Sequence, residues 1–118
     1  MNLFAQSTKV RHRAVLKAAG VRITYSRGSK PVELDAIKAS VRDRDLDEAN
    51  ISGRECDWII WRDDLRIDGA AVLPQRNDCV MSNGRQFQVL PRLGERCYRF
   101  TDQSEKQLRV FTIETPLK

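Results

Sequence analysis

The 118 residues contain a single histidine, His12, and that scarcity narrows the chemistry at once. Ser/His/Asp or Cys/His catalysis would have to run through it, inside the run Arg11-His12-Arg13, and no second histidine exists to make a ligand pair. Cysteine is sparse too. Cys56, Cys79 and Cys97 are an odd, widely spaced set that makes neither a disulfide framework nor zinc-ligand spacing, so they read as reduced, packed thiols. The glycines, Gly20, Gly28, Gly53, Gly69, Gly84 and Gly94, stand singly at turns, and no glycine-rich loop cradles phosphate. No apolar run approaches the ~18 residues of a membrane span. The apolar stretch after Met1 is too short for a signal peptide, which points to the cytosol or to something assembled there. The adjacent acids Asp63 and Asp64 would be sent to opposite faces by strand alternation. No catalytic set, cofactor site or metal site is expected.

What the chain carries is charge and strand pattern. With 41% apolar and 7% aromatic side chains it is sized for one soluble domain, 1–118, with a single modest core. We expect a basic N-terminal segment with a helix over 1–20, then a β domain over 21–118 with a polar loop at 42–50. The net charge of +5 is unevenly spread: residues 1–32 hold seven bases and no acid, 33–68 eleven acids and six bases, 69–118 eight bases and five acids. A basic end beside an acidic middle fits contact with a charged partner or head-to-tail contact between copies. It fits equally a surface solvated by its charges.

Ser7 or Thr8 can cap a helix running to about Ala19, with Gly20 placed to end it as a C′ residue. Val10, Ala14, Val15 and Ala18 make a thin apolar stripe that would lie against the sheet, while Arg11, Arg13 and Lys17 cover much of the rest. The alternative is a surface helix reaching for nucleic acid or a neighbouring subunit. His12 is expected to be solvent-facing or structural. Residues 21–26 alternate as a half-buried strand, and Arg27-Gly28-Ser29-Lys30 turns the chain. The partner strand, 32–41, begins with Val32, Leu34 and Ala36 on one face and ends with Ile37, Ala39 and Val41 on the other. That slip of phase marks a bulge or a strand crossing between two faces. Residues 42–50 read as a solvated loop, because Asp43, Asp45 and Asp47 lack the glycine and bidentate glutamate of a calcium loop. Cys56-Asp57-Trp58-Ile59-Ile60-Trp61-Arg62 is the most apolar strand, covered on both faces. At least one of its tryptophans is core, and the second suits a core or a subunit interface.

Residues 74–112 hold the densest strand signal. Cys79-Val80-Met81 leads to Asn83-Gly84, the strongest short hairpin signal, and then to the alternating return strand Arg85-Gln86-Phe87-Gln88-Val89. Cys97-Tyr98-Arg99-Phe100, a polar turn at 101–106 and Leu108-Arg109-Val110-Phe111-Thr112-Ile113 follow, which we read as a meander. The candidate core is Val21, Ile23, Tyr25, Leu34, Trp58, Ile60, Val80, Phe87, Val89, Tyr98, Phe100, Leu108 and Val110. The fold class is mainly β: a small antiparallel β-barrel or sandwich with one N-terminal α-helix.

Taken in order, Trp58-Ile59-Ile60, Asp64-Leu65, Pro74-Gln75-Arg76-Asn77-Asp78, Gly84 with Phe87-Gln88-Val89, Tyr98-Arg99-Phe100-Thr101-Asp102 and Leu108-Arg109-Val110-Phe111-Thr112 form a recognisable series. It resembles the small head–tail joining (neck, head-completion) proteins of tailed bacteriophages and prophages, over about half the chain, residues 58–112. Asn77 stands where the turn glycine of that pattern is usual, Phe87 where tyrosine is usual and Phe111 where histidine is usual. The resemblance implies a small β-barrel or sandwich with a helix and a structural role in virion assembly. It implies rings of identical subunits between portal and tail, with portal or adaptor and tail proteins as partners and DNA passing through the middle. It also implies residence in the bacterial host cytoplasm and then in the virion neck.

On that reading the candidate contacts to neighbouring subunits, or to DNA in the lumen, are Arg11, Arg13, Lys17, Arg27, Lys30, Arg99 and Arg109. Phosphate contact needs Lys and Arg but no base-reading side chains. The rival reading is a single-stranded nucleic-acid-binding barrel, with Tyr98, Phe100 and Phe111 interleaved with Arg99 and Arg109 as a stacking face.

Overall fold

The computed structural model describes residues 3–40, 55–92, 96–101 and 103–116. Helix α1 (Leu3–Ala19) is followed by β1 (Gly20–Arg27), β2 (Lys30–Ser40), β3 (Glu55–Trp61), a 3-10 turn (Arg62–Asp64), β4 (Arg66–Ile67), β5 (Ala70–Ala71), β6 (Cys79–Ser82), β7 (Arg85–Val89), β8 (Tyr98–Phe100) and β9 (Gln107–Thr115). The strands β3-β2-β1-β6-β7-β9 pair in that order, and β3 pairs again with β9, closing a six-stranded antiparallel barrel. β4 and β5 make a separate two-stranded ribbon. The mainly β reading with one N-terminal helix therefore holds, as a barrel.

Tight turns set the hairpins. Gly28 takes φ +62° at the first central position between β1 and β2, where a two-residue loop of the primed type needs it. Asn83 (φ +53°) and Gly84 (φ +80°) both occupy the left-handed region between β6 and β7, as the Asn-Gly signal predicts. Alternation then does the rest: Ile23, Tyr25, Leu34, Ala36, Trp58, Ile60, Val80, Phe87, Val89, Leu108 and Val110 all point inward and are buried. The Trp58 indole meets Phe87 edge-on at 5.2 Å between ring centroids, and its Nε1 donates to Thr112 Oγ1 at 3.1 Å. Burial of this one side chain is worth roughly 2–3 kcal/mol.

The expected phase slip in β2 is neither a bulge nor a crossing: residues 30–37 pair one-to-one with β1 and residues 37–40 pair with β3, so alternation runs unbroken, with Leu34 and Ala36 in the core and Ile37 and Ala39 half-buried on the opposite face. Val41 and the loop 42–50, with Asp43, Asp45 and Asp47, lie outside the described residues.

Other expectations are corrected. The last strands are not a meander, because β7 is bonded to β9 and not to β8. One edge of β9 runs along β3; its other edge is shared, residues 108–110 with β8 and 112–115 with β7. At three residues β8 is too short to cover β9, and β7 takes the rest. The helix starts at Leu3, a turn before Ser7 and Thr8, so neither caps it. Its apolar stripe faces away from the sheet: Val10 is 68% and Val15 44% exposed, Ala14 and Ala18 are exposed, and His12 and Leu16 lie underneath. Val21, assigned to the core, is 38% exposed at the outer end of β1, and Phe100 is only partly buried against the core.

Gly20 ends the helix by a different device from the one expected. It is the first residue of β1, and its φ is not in the left-handed region. A Cβ there would stand 2.4 Å from the Leu16 carbonyl oxygen, a backbone atom that cannot swing aside. Gly20→Ala is therefore expected to cost roughly 1–3 kcal/mol. The check is urea unfolding: a lower midpoint with unchanged slope is expected, and a midpoint like that of the parent would show that the junction yields.

Candidate functional site

The basic residues separate into two kinds once the barrel is closed. Arg11, Arg13 and Lys17 stand exposed along α1, as does Lys9. Arg99 is exposed on β8, directly across from Arg109 in the β8–β9 register. Lys30 is exposed at the end of the first hairpin and bonds Asp68 at 2.5 Å. Arg27 and Arg109, in contrast, are turned to internal work.

Arg27 closes a network at one end of the barrel. Asp78, 3% exposed, accepts from the Tyr25 hydroxyl at 2.5 Å, from Arg27 Nε at 3.1 Å and Nη2 at 2.9 Å, and from the Gln75 backbone N–H at 2.9 Å. Arg27 Nη2 also donates to the Leu73 carbonyl at 2.7 Å. The carboxylate thus gathers β1 and the segment before β6 onto one acceptor. Burial first, and then the bond to Asp78, holds the Tyr25 phenol well above its ordinary range; the bond to Asp78 likewise raises Arg27.

Arg109 belongs to a second network, on the outer face of β3. Asp57 is 1% exposed there and accepts from Arg109 Nε at 2.6 Å and from Arg92 at 2.9 and 2.5 Å. The Arg92 guanidinium lies 4.5 Å from the centroid of Phe111, a cation–π contact on a buried ring. The backbone follows suit, with Leu90 N–H bonded to the Phe111 carbonyl and Phe111 N–H to the Cys97 carbonyl. Sequence reasoning missed Arg92. The signal was Asp57 itself, an acid inside an apolar strand, which must find a cation if it is buried.

His12 is buried, at 2% exposure, and so takes the structural of the two roles expected for it. Its ring lies 5.5 Å from Trp61 at a 46° tilt, and Gln107 Nε2 donates to its Nδ1 at 2.7 Å. The second tryptophan is therefore covered by the chain's own helix. Burial lowers the His12 pKa below the ordinary 6.5; Asp64 opposes this and Arg13 adds to it. Burial also pushes the Cys56 thiol up to about 11 and raises Cys97, which leaves them protonated and unreactive near neutral pH.

The aromatic residues that a stacking surface would use are covered. Tyr98 is 9% and Phe111 2% exposed, and Phe100 has the Arg62 guanidinium 5.6 Å from its ring centroid. Among the described residues no group of three His, Cys, Asp or Glu side chains gathers into a metal site, and no helix is long and apolar enough to cross a membrane.

Two outcomes follow. Asp57→Asn leaves two guanidinium groups facing an uncharged amide under cover, and is expected to destabilise by about 3–5 kcal/mol, measured by thermal or urea unfolding; a loss under ~1 kcal/mol would mean that the cluster is solvated. The second concerns pH. Because the folded state depresses the His12 pKa, the unfolded chain binds more protons below 6.5, so stability falls as pH drops from 7 toward 5.5. His12 is the sole histidine, so His12→Phe is expected to flatten that slope, and a slope that survives the substitution would assign it elsewhere.

A family model described as phage head-tail joining protein matches residues 1–116. No curated protein matches the chain, and no solved structure does. With nearly the whole length matched, the chain belongs to the phage head–tail joining protein family, whose members have a structural role where the head of the virion meets the tail.

Proposed function

We propose that the protein acts as one subunit of a ring of identical copies between portal and tail, working by surface contact with no catalytic step. The family match over residues 1–116 carries this reading. Its physical features support it. Barrel closure gives each long strand a second partner over only part of its length, so copies can meet through side chains, loops, the helix and segments such as residues 30–36 of β2, which pair with β1 alone among the described strands. A net charge of +7 over residues 1–32 beside −5 over 33–68 suits a heterologous contact, in which one surface of a copy meets a different surface of the next and the series closes into a ring.

On this reading the protein is made in the bacterial host cytoplasm and ends in the neck of the virion, against the portal or its adaptor on one side and a tail protein on the other. Arg11, Arg13 and Lys17 on α1 and Arg99 on β8 are the cations placed for a neighbour or for packaged DNA, and contact with DNA would be through phosphate and independent of sequence. Arg27 and Arg109 serve the barrel first.

The test is completion of DNA-filled heads from a joining-deficient lysate. Purified protein is expected to sediment with the heads, to appear as a cyclic ring at the portal by electron microscopy, and to restore tail attachment. Protein that stays in the supernatant and binds single-stranded oligonucleotides saturably at both ~50 and ~200 mM salt would overturn the proposal in favour of a nucleic-acid-binding barrel.

A further inference from the structure

Between α1 and the barrel lies a cleft of about 420 Å³, with His12 and Trp61 in its lining. These two residues are 2% and 5% exposed, and His12 Nε2 and Trp61 Nε1 are buried polar atoms without a hydrogen-bond partner among the described residues. Both are donors. Gln107 Nε2 donates to His12 Nδ1, so the imidazole proton sits on Nε2, and an indole Nε1–H can only donate. A buried donor left unmade forfeits its hydration with no return. Here two occur on neighbouring rings, 5.5 Å apart between centroids, and each lacks an acceptor.

The rim specifies the charge of the group that brings the acceptors. Lys9, Arg13 and Lys17 line the helix side, and none of them forms an ion pair among the described residues. Asp35, Asp63 and Asp64 line the other side, but Asp35 is held by Arg22 at 3.2 Å and Asp63 by Lys106 at 3.6 Å. Three unpaired cations thus face one unpaired carboxylate, Asp64, and the cleft has a positive balance. His12 and Trp61 are buried while the cations of the rim stand exposed, a setting that suits an acidic side chain on a flexible stem better than the stiff, convex backbone of a duplex.

We propose that this cleft is a carboxylate-binding site that receives an Asp or Glu side chain of a partner protein, its charge meeting Lys9, Arg13 and Lys17 and its oxygens meeting the N–H groups of His12 and Trp61 once the side chains that close off both nitrogens shift. That the partner is a protein of the head–tail junction rests on the function proposed above; the carboxylate chemistry does not. The exposed basic helix then has a definite role. It is one wall of a socket, and its cations draw the acidic group in before the two buried donors hold it.

The experiment follows the two indole N–H signals of the full-length, ¹⁵N-labelled protein while acetate replaces chloride at constant pH and ionic strength. Trp58 is an internal control, because its Nε1 already bonds Thr112. The expected result is a saturable shift of the Trp61 signal with Trp58 still, and acetate binding weakened about tenfold or more by His12→Phe, which keeps a ring against Trp61 and removes the donor. Arg13→Ala, at an exposed position, is a second variant that does not threaten folding, and is expected to weaken acetate binding several-fold while Trp58 stays in place. An immobile Trp61 signal, a response to inorganic phosphate but not to acetate, or parent-like acetate binding by Arg13→Ala and by His12→Phe would each overturn the site. Head completion by the parent protein separates the two claims. Completion without acetate binding removes the socket and leaves the junction role; acetate binding without completion does the reverse.

Discussion

The antiparallel pairing of β3 with β9 closes the barrel, and nearly everything else depends on it. Seven consecutive residue pairs join Glu55–Trp61 to the first seven residues of β9, bringing together segments about fifty positions apart in sequence. β3 can serve as that seam because both of its faces are covered. Trp58 and Ile60 fill the interior, Asp57 is locked under two arginines, and Trp61 lies beneath the helix. A strand buried on both sides tolerates no slip of register, since a shift by one residue would drive Asp57 into the core and Trp58 out of it.

The charged groups follow from this closure. Asp57 and Asp78 are buried acids, and each has recruited arginines from distant strands and loops, so Arg27, Arg92 and Arg109 are spent in holding the fold. Pairs of this kind add little net stability and much specificity of arrangement, because breaking one strands a charge. Among the surface cations, those of the helix stand in one acid-free run, where the chain has Lys9, Arg11, Arg13 and Lys17 and no acid among the residues of α1.

The helix is the least conventional element. It lays a histidine and a half-buried leucine on the barrel and turns its valines to solvent, the reverse of an amphipathic helix seated on its own core. It runs straight into β1 with no linker, at a glycine that leaves no room for a Cβ beside the carbonyl of Leu16.

From the sequence alone come the features that depend on neighbours along the chain. Alternation places Ile23, Tyr25, Leu34, Trp58, Ile60, Phe87 and Val89 inside, and Asn83-Gly84 dictates its hairpin because positive φ is a local requirement. The tertiary structure alone decides which edge of β9 goes to β7 and which to β8, which face of α1 meets the barrel, and which arginine finds Asp57. Strand alternation is the same whatever edge a strand takes, a helix with a thin apolar stripe has no strongly preferred face, and Arg92 lies 35 residues from its acid. These are contacts between parts of the chain that meet only when the barrel shuts, and their energies have no counterpart in any short stretch of sequence.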